Sequence, residues 1–497
     1  MMKYYSFAVT IVINLFFAYN STAQNQPDSM AVITKVDQCI SCHREQEDKP
    51  SKLFPGDVHF KKGISCADCH GGDRTAEDQD AAMNPEKGFI GVPAVAKIPQ
   101  LCGKCHGDKS VMKRYGSQIQ TAMVKEYLNS AHGQKLQEGD TKIAQCVTCH
   151  GVHNITSKKD LSSPVYPTNV PKLCAKCHAD ATYMKTYDPA FPVDQYQKYL
   201  TSVHGKKNLK GDAKVATCVS CHTAHDILNG KFPRSSVYPV NIPATCNRCH
   251  GNAEYMKPYG IPTNQYKKYS VSVHGKALLE KKDISAPACN SCHGNHGAVP
   301  PGVTSISNVC GTCHALNAQL FSQSPHEKAF KARKLPQCET CHSNHDVQPV
   351  QLSMLGVNEE ATCIKCHKSD DPTKGYIVAA TMRKMIDSLK SEQKIAEKFL
   401  DQAEQKGMEV EQARFNLKDV RQALIQSRTV IHTADLDKFK EVVGKGLTIA
   451  SSAKKDGEEA VHEYYYRRTG LGVATLLITV LVITVYLKLR NKERRGK

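Results

Sequence analysis

Every one of the 22 cysteines lies in a C-x-x-C-H pentad, and the eleven pentads leave no cysteine over. That use of cysteine governs what the chain can become. A chain of 497 residues is long enough to bury an apolar core without disulfide staples. Cross-links and free thiols are therefore excluded as the main use of these residues. The first pentads hold Cys39, Cys42 and His43; Cys66, Cys69 and His70; Cys102, Cys105 and His106; and Cys146, Cys149 and His150. The next hold Cys174, Cys177 and His178; Cys218, Cys221 and His222; Cys246, Cys249 and His250; and Cys289, Cys292 and His293. The last hold Cys310, Cys313 and His314; Cys338, Cys341 and His342; and Cys363, Cys366 and His367.

A lone C-x-x-C is equally at home in a zinc half-site or a dithiol redox pair, but neither requires a histidine at the fifth position every time. C-x-x-C-H is the attachment sequence for haem c. Two thiols add to the vinyl groups of one porphyrin, and the adjoining imidazole meets the iron from one side. The expectation is eleven covalent haems c.

From Cys102 to Cys289 the pentads start 44, 28, 44, 28 and 43 residues apart, so the array repeats in two-haem units of about 72 residues. One copy reads YLNSAHG, CVTCHGVHNI and PVYPTNVPKLCAKCHADATYMKTY, and the next reads YLTSVHG, CVSCHTAHDI and SVYPVNIPATCNRCHGNAEYMKPYG. Two looser copies follow, one divergent unit precedes them, and the pentad at Cys39 opens the array alone. Each pair of pentads is preceded by a leading histidine: His59, His132, His204, His274 and His326. A trailing histidine stands three residues after the first motif histidine of a pair: His153, His225, His296 and His345. Fixed offsets from the pentads mark both sets as candidate sixth ligands of iron.

Reach sharpens this. Two histidines on opposite faces of one iron have α-carbons roughly 13 Å apart, whereas three residues span at most about 10 to 11 Å. A trailing histidine therefore serves a neighbouring haem, not the haem of its own pentad. The two sets give nine distal ligands, and the two histidines left over, His432 and His462, would complete eleven bis-histidine irons. His432 also suits a core position beside Val420, Leu424 and Ile431, and His462 a surface position before the apolar tail. Met112, Met184 and Met256, flanked by tyrosines, read as packing against porphyrin rather than as ligands.

The ends of the chain carry address signals. Lys3, an apolar run from Phe7 to Phe17 and the small Ser21 and Ala23 read as an export leader over residues 1–23. The haem region follows over 24–375. Residues 376–467 lack cysteine and show helical spacing, as in KSEQKIAEKFLDQAEQ, which predicts a bundle of two or three long helices broken near Gly407 and Asp435 to Asp437. The expected transmembrane helix is 468–488, within which Thr469 to Leu487 is uncharged, apolar and long enough to span a bilayer. The basic residues of the tail, 489–497, place the C-terminus in the cytoplasm, with Tyr464, Tyr465 and Tyr466 at the opposite interface. The fold class expected is mainly α with much irregular structure: a haem-cored array, a long-helix C-terminal bundle and a single C-terminal transmembrane helix.

Removing Lys3 with the leader, Lys488 at the end of the apolar segment, and the tail's five basic and one acidic residues lowers the net charge from +18 to +12. Eleven ferric haems at about −1 each bring that to about +1, so the basic excess is counter-charge for propionates. The lysines are scattered through the haem region, which argues against a nucleic-acid partner.

The paired motifs with SVHG and CHGVH resemble multihaem cytochromes c with doubled C-x-x-C-H motifs, over about Asp37 to Lys368. The helices beyond, with His432 among them, look like those closing the hydroxylamine oxidoreductases and pentahaem nitrite reductases. In the nitrite reductases the catalytic haem sits on C-x-x-C-K, and no such pentad stands here. The leader, the apolar segment and its basic tail, with haems about 32 residues apart and a histidine for every iron, lead to the expectation of an exported cytochrome on the bacterial inner membrane, with its haems in the periplasm. It would carry electrons between a membrane quinol-oxidising or cytochrome b subunit and a periplasmic redox partner. The C-terminal helices are a candidate self-association surface. The alternative is an oxidoreductase of the nitrite or hydroxylamine type with one open haem. No histidine stands in the apolar segment, so a haem b within the bilayer would belong to another subunit.

Overall fold

The computed structural model describes residues 37–299 and 306–496. The expected leader at 1–23 lies outside them. All regular structure among the described residues is helical. The chain divides into two units, Met1–Tyr238 and Pro239–Lys497.

In the first unit the pentads are built in two alternating ways. The first pentad of a pair is a single helical turn, as in Cys66–His70, Cys146–His150 and Cys218–His222. Such short helices need their ends satisfied locally, and the second x of C-x-x-C does this. Asp68 accepts from the Ser65 backbone N–H at 2.7 Å, Thr148 from that of Gln145 at 3.1 Å, and Ser220 from that of Thr217 at 3.0 Å. The second pentad of a pair closes a longer helix, Ile98–His106 or Val170–His178. Pro99 and Pro171 sit in the first turn, where a missing N–H costs no hydrogen bond.

The second unit repeats the long form at Ile242–His250 and the short form at Cys289–His293 and Cys338–His342. It ends a helix inside the pentad at Ile306–Gly311, forms only the 3-10 turn Cys363–Lys365 at the last pentad, and adds three long helices. α1 spans Gly375–Gln405, α2 Glu411–Val430 and α3 Leu436–Arg495. Their apolar stripes meet in one core containing Met382, Ile386, Leu389, Leu400, Leu417, Val420, Phe439 and Val443. Gly407, at φ +75°, ends α1, and the Met408 N–H reaches back to the Ala403 carbonyl at 3.0 Å. Asp435 caps α3 by accepting from the N–H groups of Asp437 and Lys438 at 2.9 and 3.1 Å. Two glycines let α3 lie close to its neighbours. A Cβ on Gly446 would stand 2.7 Å from that of Ala423, and one on Gly457 2.9 Å from that of Phe399.

α3 runs 60 residues without a break, straight through the expected start of the membrane segment. It is the one helix among the described residues long and apolar enough to cross a bilayer. From Leu471 to Leu489 its large apolar side chains are exposed. Threonine hydroxyls in this stretch donate back along the helix: Thr475 to the Leu471 carbonyl, Thr479 to that of Thr475 and Thr484 to that of Val480, at 2.7–2.8 Å. Internal satisfaction of that kind is what a hydrocarbon environment demands. Below this segment the Lys406 ammonium lies 5.1 Å from the ring centres of both Tyr464 and Tyr465.

Candidate haem sites

None of the 22 cysteines forms a disulfide. Each pentad presents two cysteines and a histidine on one short segment, and the residue after the histidine decides where the chain goes next. After the first pentad of a pair, Gly71, Gly151, Thr223, Gly294 and Ser343 all have φ between +65° and +83° with ψ near 180°. This region is nearly reserved for glycine. The turn sends the trailing histidine away from its own pentad.

The leading histidines sit on a module that explains the repeated Y-x-x-S-x-H-G motif. Ser130 begins the short helix Ala131–Gln137: its Oγ donates to the Tyr127 carbonyl at 2.6 Å and accepts from the Gly133 N–H at 3.1 Å. Ser202 does the same for Tyr199 and Gly205, and Ser272 for Tyr269 and Gly275. The glycine is required by space. A Cβ at Gly133, Gly205 or Gly275 would stand 1.8–1.9 Å from the tyrosine carbonyl oxygen. The tyrosine hydroxyl ties the module to the next pentad. Tyr127 donates to the Ala144 carbonyl at 2.9 Å, Tyr199 to that of Ala216 at 3.0 Å and Tyr269 to that of Pro287 at 2.8 Å. A backbone clasp joins the two kinds of histidine. The N–H groups of Val58, Ala131 and Val273, each just before a leading histidine, donate to the carbonyls of Ile155, Ile227 and Val347, each two residues after a trailing one.

The rings pair by a consistent rule. Leading histidines face the second pentad of their own pair: His59 and His106 have ring centres 6.0 Å apart, His132 and His178 6.1 Å, His274 and His314 6.3 Å, and His326 and His367 6.0 Å. Trailing histidines face the first pentad of the preceding pair: His153 and His70 at 6.0 Å, His225 and His150 at 6.2 Å, and His345 and His293 at 6.0 Å. His432 takes the trailing role for His342 at 6.1 Å. It stands in the single 3-10 turn Ile431–Thr433 at the end of α2, where its Nδ1 faces the Thr429 carbonyl at 2.9 Å. An iron with an imidazole on each face puts the ring centres about 6 Å apart, from about 2 Å per metal–nitrogen bond and about 1 Å from each nitrogen to its ring centre. The spacing therefore fits a haem between each pair.

Burial favours the neutral imidazole that a metal needs. It pushes His132 down to about 4, with the facing His178 adding to the shift, and holds His106, His150, His178, His326 and His342 below the ordinary range. The groups come as facing pairs, and among the described residues no three or more His, Cys, Asp or Glu side chains converge as a metal cage.

Consecutive pentads neighbour one another within each unit. In the first, the side chains of Cys102 and Cys146 hydrogen-bond, as do those of Cys174 and Cys218. Cys66 interacts electrostatically with Cys39, Cys69 with Cys102, and Cys149 with Cys177. In the second, Cys246 bonds Cys289 and Cys310 bonds Cys338, while Cys292 is close to Cys310 and Cys341 to Cys363. Each unit thus strings its pentads in sequence order.

Two histidines behave differently. His43 is exposed, its Nδ1 faces Asp48 Oδ2 at 2.6 Å, and among the described residues its ring faces no other histidine ring. His462 is exposed on α3, in a shallow depression with Met408, Glu409, Glu458 and Glu463, and its ring likewise faces no other histidine ring among the described residues. His204, His222, His250 and His296 hold the positions of the repeat equivalent to those of the paired histidines. Met112, Met184 and Met256 are buried. Sequence reasoning missed the roles of the tyrosine, serine and glycine around each leading histidine, although they recur visibly in YLNSAHG, YLTSVHG and YSVSVHG.

The cytochrome c3 family profile matches residues 58–179. The profile described as cytochrome c554 and c-prime matches residues 17–71, 172–251 and 309–393. Comparison with curated proteins and with solved structures gave no match. Together the two profiles cover every pentad but the one at Cys289, and the chain is a multihaem c-type cytochrome.

Proposed function

We propose that this cytochrome is held in the bacterial inner membrane by α3 and carries electrons between a membrane quinol-oxidising partner and a periplasmic acceptor. When bound, haem c supplies reversible one-electron exchange. The chain's part is to anchor eleven such groups, to close most irons with a second histidine, and to hold neighbours close. The observation that carries the reading is the succession of neighbouring pentads in each unit, with histidine rings paired at about the spacing of a six-coordinate iron. The eight described pairs, with the four histidines at equivalent repeat positions, use 20 of the 22 histidines. A C-terminal span with no charged side chain from Thr469 to Leu487 suits an anchor better than a site of chemistry. Nucleic acid has no place in this account, because the basic residues are scattered among propionate-bearing groups.

Quinol reduction tests the proposal. Purified protein in detergent should stay oxidised when quinol is added, and should be reduced when membranes holding a quinol-oxidising complex are also present. Direct and rapid reduction of the purified protein by quinol would overturn the need for a membrane partner. One observation favours a second reading, an oxidoreductase with an open haem: the solitary ring of His43.

A further inference from the structure

The 22 histidines all lie within the described residues, and eleven of them are the motif histidines. His43 stands apart from the other motif histidines. Its helix, Gln38–Glu45, belongs to the pentad that lies outside the paired repeat, with no leading or trailing histidine of its own. The second observation concerns its Nδ1. At His70 and His293 this nitrogen faces a backbone carbonyl, of Gly91 at 2.7 Å and of Val299 at 3.2 Å. At His43 it faces a carboxylate oxygen of Asp48 at 2.6 Å.

That carboxylate is held in place. Asp48 Oδ1 accepts from the Ser51 N–H at 2.9 Å, and the Ser51 hydroxyl donates to the His43 and Asp48 carbonyls at 3.1 and 3.0 Å. A carboxylate fixed on the outer nitrogen orients an imidazole and makes it a stronger donor to metal. His367 has a similar carboxylate, Asp371, but its ring also faces His326. His43 therefore combines a strengthened proximal ligand with a ring that, among the described residues of its own unit, faces no other histidine ring.

We propose that the pentad Cys39–His43 carries a haem held by His43 alone, anchored through Asp48, whose opposite face binds water or a small exogenous ligand of the carbon monoxide and nitric oxide class. This rests on the eleven-haem reading above and identifies the one position at which a multihaem wire would be open to a small molecule. His462, the other solitary histidine, then has no iron to serve.

The test is spectroscopic and uses the full-length protein. The wild type should show one high-spin haem in eleven, and should bind one equivalent of carbon monoxide after reduction. In Cys39→Ala/Cys42→Ala both signals should disappear together with one haem of mass. In Asp48→Asn the iron–histidine stretch of the reduced open haem should fall, which confirms its identity even where the double variant fails to mature. His462→Ala should leave the spectrum unchanged. Eleven haems, all low-spin and inert to carbon monoxide, would overturn the inference and leave the haem count standing. A low-spin methionine-ligated spectrum at this pentad would overturn it too, as would a carbon monoxide site that survives loss of the pentad or is created in His462→Ala. A mature protein with Cys39 and Cys42 unmodified would overturn both the inference and the count.

Discussion

The rings of His293 and His345 lie 6.0 Å apart with their planes 11° from parallel, although 52 residues separate them and His342 is only three residues from His345. A histidine close in sequence to its own pentad thus faces the first motif histidine of the preceding pair. In the proposed account this interlock makes each two-haem repeat depend on the next.

A ligand on one repeat should accordingly act on another. His225→Ala should convert the haem on Cys146 and Cys149 from low to high spin, because the His225 ring faces His150 at 6.2 Å. The haem on Cys218 and Cys221 should keep its spin state. His432→Ala should open the haem on Cys338 and Cys341 in the same way, since its ring faces His342 at 6.1 Å. Electron paramagnetic resonance before and after carbon monoxide addition reads both. A change at Cys218 rather than Cys146 would refute the interlock.

The leading-histidine module predicts graded stability losses. Gly133→Ala places a Cβ 1.9 Å from the Tyr127 carbonyl oxygen and cannot be absorbed without moving His132. A loss of about 3 kcal/mol or more is expected, with a high-spin fraction from the haem that His132 faces. Tyr127→Phe removes only the hydroxyl bond to the Ala144 carbonyl and should cost about 1 kcal/mol. Thermal melts of the two variants should rank in that order.

The pentads, the two-haem period and both histidine sets are legible in the sequence through their spacing, because covalent attachment fixes residue types rigidly. The reach limit excludes a trailing histidine from its own pentad, yet which neighbour it faces is a property of the turn at Gly151 or Thr223. Backbone angles of that kind leave no unique residue signature, since glycine, threonine and serine all occupy the position. By its neighbours in sequence His432 suits a helical core equally well, and only the 3-10 turn Ile431–Thr433 aims it at His342. His462 qualifies as a ligand only through arithmetic on the histidine count, which cannot tell a solvated helix face from an axial position.

The turn after the first pentad gives a paired prediction. Gly151 has φ +81° and ψ −177°, where a Cβ costs about 1–3 kcal/mol, so Gly151→Ala should lower the melting temperature. Thr223 already occupies this region at φ +68° and ψ 173°. Its hydroxyl donates to the Asp226 carbonyl at 2.5 Å, which offsets part of the strain. Thr223→Gly should therefore be neutral or stabilising by about 1 kcal/mol, measured by the same melts.

One polar tie predicts a pH effect away from the haem ligands. The Tyr187 hydroxyl donates to Asp140 Oδ2 at 2.7 Å, while Tyr183 donates to the Lys142 carbonyl at 2.9 Å, which gives the YMKTY motif its structural use. The Tyr187 hydrogen bond holds the Asp140 carboxyl below its ordinary value. A depressed folded value means that the stabilisation is complete above the unfolded carboxylate pKa of about 3.9 and fades as pH falls through the lower folded value. Tyr187→Phe should cost about 1 kcal/mol or less at pH 7, given the exposure of the pair. The gap between variant and wild type should close below about pH 4. A gap that persists unchanged in acid would show that the ring packing, not the hydrogen bond, carries the effect.

The central claim is that all 22 cysteines hold haem, two to each group. Intact-mass measurement of the fully matured protein tests it most directly. The account predicts the polypeptide plus eleven haem masses, with no unmodified cysteine in any pentad peptide. A mature protein with ten haems or fewer, or with any pair of free or disulfide-bonded cysteines, would contradict it.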